Sequence, residues 1–185
     1  MKALIIKNIE GKRVLILFIV TNIIYVFMLA VTIPKVMSFS NGMKLPDMLP
    51  TGYTAEYINT LLSTLGREGR NAYLFNQIPS DMVYPFLFGI SWCLVLAWFL
   101  DKLGRLNGSM IYLVLLPLLA GFFDYLENTG MIVILNRYPD NPDFLTQATS
   151  VFTILKSLLS TFYFITLIIV VVAFIINKYQ KRPER

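Results

Sequence analysis

The sequence predicts an all-α polytopic membrane protein, a four-transmembrane-helix bundle with two short amphipathic helices in its first external loop. Of its 185 residues, 56% are hydrophobic and 15% are charged, whereas a soluble domain carries about 25% charged residues. The apolar residues gather in four blocks, each close to the roughly 20 helical residues that cross a bilayer core. Short polar segments separate the last three blocks, and short connections make neighbouring helices antiparallel.

The four spans belong to one predicted integral membrane domain, residues 1–185, and we place them at about 14–33, 82–100, 110–135 and 150–176. Basic residues precede the first span, as they do in a signal peptide. Its apolar core exceeds the usual length of about 7–15 residues, however, and no small-residue cleavage site follows it. The first span is therefore predicted to be a retained helix.

The distribution of Lys and Arg predicts a cell-membrane protein with both termini in the cytoplasm, because cytoplasmic loops carry the excess of positive charge. The side predicted to be cytoplasmic has the denser set: Lys2, Lys7, Lys12, Arg13, Lys102, Arg105, Lys178, Lys181, Arg182 and Arg185. The other side spreads fewer over a longer segment: Lys35, Lys44, Arg67, Arg70 and Arg137. The net charge of +5 is thus mainly a topology signal, and it also suits anionic lipid headgroups.

The external segment 34–80 is predicted to cap the bundle, because it is too long and too regularly patterned for a plain connector. Its first part is rich in Gly, Pro, Ser and Asn, which is typical of a loop. Thr54 then caps a predicted helix that ends at Gly66. The apolar positions of this helix recur at helical spacing: Ile58, Leu61, Leu62 and Leu65. A second amphipathic helix is predicted over 67–77, ending at Ile78–Pro79.

Span three carries a cluster of polar residues inside an apolar run. Asp124, Glu127 and Asn128 interrupt residues 110–135, and positions i, i+3 and i+4 share one face of a helix. An ionised group at membrane depth costs roughly 2.5–3.5 kcal/mol on insertion scales. We therefore expect this face to point into the protein, and Asp124 and Glu127 are the candidate catalytic acid and base.

Span four supplies Lys156 as the predicted partner of these acids. At 1.5 Å per residue, Asp124 lies about 21 Å and Glu127 about 25 Å from the cytoplasmic end of span three, in the outer half of the bilayer. Lys156 lies about 15 Å below the external end of span four, at a similar depth. Because buried charges need partners, we expect an ion pair between Lys156 and one of the two acids.

Two acids and one lysine leave an excess of negative charge. Either one carboxyl is protonated, or another cation approaches, and Arg67 and Arg70 of the external helices are the candidates. Asp81 and Tyr84, at the outer end of span two, fall in the same layer. The candidate ligand-binding residues are therefore Lys156, Asn128, Arg67, Arg70, Asp81 and Tyr84. The alternative is a sealed ion-pair network that fixes helix register and binds no ligand.

Several kinds of chemistry are excluded by residue types that the chain lacks. There is no histidine, so zinc sites and haem ligation by histidine are excluded. The single cysteine, Cys93, cannot form a disulfide within the chain, which excludes dithiol-dependent quinone chemistry. A magnesium ion on Asp124, Glu127 and Asn128 is a weak possibility, because these ligands would come from about one helical turn. No metal or cofactor is expected.

Five short stretches resemble small bacterial four-helix membrane proteins. They are GREGR at 66–70 with Tyr73, IPSD at 78–81, YP at 84–85, LPLL at 116–119 and DYLEN at 124–128. The resemblance covers about half of the chain. It implies a four-helix fold and a membrane location, and it supplies no activity.

Two functions stay open at this point. The first is binding of a membrane lipid headgroup or an amphiphile in an outer-half pocket formed by Asp124, Glu127 and Lys156. The alternative is a membrane-embedded enzyme acting on a lipid or isoprenoid substrate, with Asp124 or Glu127 as general acid or base. No nucleic-acid partner is expected, because no basic helix lies outside the spans. Proton-coupled transport would require the chain to form a homo-oligomer, since four spans give little room for alternating access.

Overall fold

The computed structural model describes residues 2–180, without the side chain of Lys2, and contains helices and no strand within that range. The helices are α1 (Lys2–Asn8), α2 (Gly11–Phe27), α3 (Ile33–Met37), α4 (Ala55–Ala72), α5 (Ile78–Lys102), α6 (Met110–Val114), α7 (Leu116–Arg137) and α8 (Asp143–Gln180). A 3₁₀ turn lies at Pro46–Met48, and π-helical turns at Met28–Thr32 and Tyr73–Gln77.

Four helical stretches are long and apolar enough to cross a membrane, as predicted: Gly11–Met37, Ala55–Lys102, Met110–Arg137 and Asp143–Gln180. The first joins α2 to α3, the second joins α4 to α5 and the third joins α6 to α7. All four are longer than the spans predicted from apolar residues alone. The extra length lies at their ends, and in the second stretch it includes the whole of α4.

The predicted start of α4 and the predicted break at Gly66 are confirmed. The Thr54 hydroxyl accepts a hydrogen bond from the backbone N–H of Tyr57 at 3.1 Å, and Gly66 adopts a non-helical conformation with φ of 59°. The predicted helix end at Ile78–Pro79 is wrong. The backbone N–H of Ile78 bonds to the carbonyl of Tyr73 in a π turn, and this wider turn carries the helix past Pro79, which lacks a donor.

The bundle is held together by close crossings at small residues. Helix α7 packs against both α5 and α8, whereas α2 packs mainly against α5. A Cβ on Gly121 of α7 would lie 2.7 Å from the carbonyl oxygen of Pro85 on α5, and Gly130 of α7 packs as closely against Thr149 of α8. Small residues at such crossings allow the backbones of apolar helices to approach.

Two apolar clusters divide the bundle along its length. At one end, called the cap end below, the buried leucines of α4 pack with Met131, Ile134 and Leu135 of α7. At the opposite end, residues of α5 from Cys93 to Leu100 pack with Tyr163 of α8. The polar residues of the bundle lie between these clusters, so the cap end covers them.

Candidate functional site

Lys156 of α8 lies at the centre of a cluster of three acids. Its Nζ is 3.0 Å from Asp124 Oδ1, 2.5 Å from Glu127 Oε2 and 3.1 Å from Asp47 Oδ1. Asp124 and Glu127 are only 6% and 1% exposed. The predicted ion pair between Lys156 and span three is therefore confirmed, and both acids take part in it. We call these four residues the acid–lysine cluster.

Asp47 was not predicted from the sequence. It belongs to the 3₁₀ turn Pro46–Met48, in a segment expected to be an external loop. The preceding Leu45 is fully buried in the apolar cluster of the cap end, which holds the turn against the bundle. The signal available in the sequence was an acid flanked by apolar residues and prolines, LPDMLP. This pattern does not specify a burial partner.

The segment that carries Asp47 is fastened to α8. The backbone N–H of Tyr53 donates to Ser150 Oγ at 2.8 Å, and the Thr153 hydroxyl donates to the Tyr53 oxygen at 3.3 Å. Gly52 has φ of +86°, and a Cβ there would lie 2.7 Å from Ser150 Oγ. Burial raises the pKa of the Tyr53 phenol well above its usual value, so this side chain stays neutral beside the acids.

The Asn128 side chain bonds to the backbone of α5 and supplies a hydrogen bond that is missing there. Pro85 has no N–H, which leaves the carbonyl of Asp81 one turn earlier without its helical donor. The Asn128 Nδ2 donates to that carbonyl at 2.8 Å. Asn128 therefore fixes the position of α7 against α5 at the level of Asp81.

Asp81 and Gln77 contribute buried polar atoms without partners. Asp81 is 4% exposed and Gln77 is fully buried. Asp81 Oδ2 and Gln77 Nε2 have no hydrogen-bond partner among the described residues. Gln77 Oε1 accepts from the Thr32 hydroxyl at 2.5 Å. This bond joins the two π turns, a kind of turn that is frequent at functional sites.

The structure does not place Arg67 and Arg70 beside the acids. Arg67 is exposed. The Arg70 guanidinium donates to the carbonyl of Leu62 at 2.7 Å and lies over the Tyr138 ring at 4.4 Å. The break at Gly66 leaves carbonyls of the preceding turn without helical donors, and Arg70 binds one of them. Neither of the two candidate cations therefore pairs with the acids, and Asp47 adds to the negative charge.

A cleft of about 370 Å³ reaches the acid–lysine cluster from the side of the bundle. It lies between α2 and α8, with α5 and α7 behind it. Its polar lining includes Asp47, Gln77, Asp81, Asp124, Lys156 and Ser160. Its apolar lining includes Met28, Leu29, Ile33, Phe88 and Phe164. Tyr84 also lines the cleft and stacks on Tyr25, with ring centroids 5.4 Å apart. Glu127 is not part of the lining, because it lies behind Lys156.

Comparisons of the chain with protein-family models, with curated proteins and with solved structures find no match. The bacterial membrane-protein resemblance drawn from the sequence stays a prediction.

The arrangement suits recognition of charge more than metal binding. Carboxylate oxygens of Asp47, Asp124 and Glu127 lie within 4.8 Å of one another, close enough to share a metal ion. The Lys156 ammonium contacts all three and takes the place that such an ion would need. Asp124 and Asp81 face the cleft and can contact a bound molecule, whereas Glu127 can act only through Lys156.

Proposed function

We propose that the chain is a multi-pass membrane protein that binds a lipid headgroup or an amphiphile in the cleft between α2 and α8. The proposal rests mainly on the composition of the cleft wall. Its wall combines charged and other polar side chains with Met, Leu, Ile, Phe and Tyr side chains. A pocket with convergent polar groups in an apolar surround is typical of a ligand site. A headgroup would meet Asp81, Asp124 and Lys156, and the apolar part would face the lipid side.

The membrane orientation belongs to the same proposal. The Lys and Arg distribution supports a cytoplasmic location for both termini, which puts the cap end outside. The apolar cluster of α4 and α7 lies at that end, and in this proposal it separates the cleft from external water. The ligand would therefore enter laterally from the outer leaflet, between α2 and α8.

Native mass spectrometry of the purified protein in mild detergent tests this proposal. Wild-type protein is expected to retain a bound lipid or amphiphile. Ser160→Phe, which fills the cleft, is expected to lose it because Ser160 is a lining residue. Thr161→Phe is the matched control, since the adjacent Thr161 is exposed on the outer surface of the same helix. The proposal would be refuted if fully stable wild-type protein carried no bound lipid or amphiphile, or if the two variants retained the bound molecule equally.

A membrane-embedded enzyme acting on a lipid or isoprenoid substrate is the second candidate function. One observation favours it: Asp124 faces the cleft and shares Lys156 with the buried Glu127. Asp124 would act as general acid or base, and Lys156 would connect it to Glu127. Asp124→Asn and Glu127→Gln should then fold and change the cellular lipid profile. An unchanged profile in both variants excludes this function.

A further inference from the structure

The charges that meet at the cleft are strongly unequal. Asp47, Asp124 and Glu127 contact a single ammonium, that of Lys156, and Asp81 lies in the same lining. An isolated buried carboxylate is costly unless a cation or a proton neutralises it. Arg67 and Arg70 do not approach the acids. The cleft therefore has the electrostatic character of a site for a cation.

The acid that has no partner lies in the wall of the cleft. Asp81 is 4% exposed, its Oδ2 has no hydrogen-bond partner among residues 2–180, and it lines the cleft. Gln77, one turn earlier, is fully buried with an unpartnered Nε2 in the same wall. Native proteins satisfy most buried polar groups. Two such atoms on one wall indicate that a polar group from outside the chain completes the site.

A separate apolar groove lies beyond the cleft, toward the other end of the bundle. It has a volume of about 600 Å³ and lies between α2, α5 and α8, where Val14, Phe18, Trp92, Trp98 and Leu167 line it. Its lining is entirely apolar in accessible atoms. Phe88 and Phe164 of the cleft contact the ring of Trp92 in the groove, so these three rings lie between the two spaces. From Asp81 to Trp98, α5 spans about 25 Å.

We propose that the bound amphiphile carries a protonated amine head and a long alkyl tail. The head lies beside Asp81 and Asp124, and the tail passes the aromatic contact into the groove beneath. The amine supplies the positive charge that the acids lack, and its N–H groups donate to the carboxylates of the cleft wall. This inference rests on the proposed ligand-binding function and specifies its ligand class.

Fluorescence quenching provides a direct test, because Trp92 and Trp98 are the two tryptophans of the chain and both line the groove. The protein is reconstituted in phosphatidylcholine nanodiscs and titrated with a long-chain primary alkylamine that carries bromine on its tail. Separate titrations use the alcohol and the carboxylic acid with the same chain length and the same bromination, so that the three probes differ only in the head group. The amine is expected to quench at about tenfold lower concentration than the alcohol, since a charge-assisted hydrogen bond is worth that factor or more.

Variants assign the preference to the site. Asp81→Asn should abolish the preference for amine over alcohol. Asp101→Asn, the same change at an exposed position of the same helix, should retain it. Ser160→Phe should weaken quenching by every probe, which gives a second measure of the site if Asp81→Asn does not fold.

Each contrary outcome has a separate meaning. Equal quenching by amine and alcohol, preference for the carboxylic acid, or an amine preference that survives Asp81→Asn overturns the assignment of an amine head. In those cases the proposed binding function still stands, because an amphiphile does bind. Quenching by none of the three probes overturns the amine inference. Together with the absence of a co-purifying lipid, it refutes the binding function as well.

Discussion

At the scale of single residues, Lys156 is the group on which the buried charges depend. Its ammonium is the one cation in contact with Asp47, Asp124 and Glu127 among the described residues. Glu127 is only 1% exposed, so solvent cannot replace Lys156 as its partner. Removing one member of a buried ion pair costs more than the pair itself contributes, because the other charge is left uncompensated.

Lys156→Met should therefore destabilise the fold by about 3–5 kcal/mol. Thermal unfolding of the detergent-solubilised protein measures the effect. Lys178→Met, at an exposed position of the same helix, is the control and should change stability by less than about 0.5 kcal/mol. Adding Glu127→Gln to Lys156→Met should recover part of the loss, because it removes the most buried of the unpaired charges. No destabilisation by Lys156→Met would show that the acids are neutral without it.

At the scale of elements, Gly52 sets the position of the segment that carries Asp47. Its positive φ and the close approach of Ser150 leave no room for a side chain. Gly52→Ala should therefore detach residues 46–53 from α8 and speed amide hydrogen exchange there. Gly42→Ala is a matched control, since Gly42 also has positive φ but no atom within 4 Å of an added Cβ. Equal exchange in the two variants would show that backbone strain alone, and not the contact with Ser150, governs the segment.

The crossing of α5 and α7 depends on Asn128 replacing the hydrogen bond that Pro85 cannot make. Asn128→Leu should cost about 1–3 kcal/mol, because it leaves the carbonyl of Asp81 buried and unsatisfied. Pro85→Ala restores the backbone donor, so Asn128→Leu should cost much less in that background. A double-mutant cycle by thermal unfolding measures this coupling. Additive effects of the two changes would contradict the assigned role of Asn128.

At the scale of the whole molecule, the apolar blocks predicted the four long helices, since helix length and hydropathy are encoded locally. The pairing of span three with Lys156 followed from depth along antiparallel helices. Asp47 could not be predicted in the same way, because its burial depends on the distant contacts of Tyr53 and Gly52 with α8. Arg70, a candidate counter-ion from the sequence, does not contact the acids for a related reason. A carbonyl freed at the Gly66 break competes for its guanidinium.

The proposed orientation of the molecule in the membrane rests on the distribution of Lys and Arg. In the proposed orientation, with both termini in the cytoplasm, Asn41 in the external segment 34–80 lies outside and Asn107 between α5 and α6 lies inside. In a Cys93→Ala background, Asn41→Cys should react with a membrane-impermeant maleimide on intact cells. Asn107→Cys should react only after permeabilisation. The reverse pattern would place the acid–lysine cluster nearer the inner leaflet, and the ligand would then enter from that side. The cleft and its charges would be unchanged, because they depend on packing within the bundle.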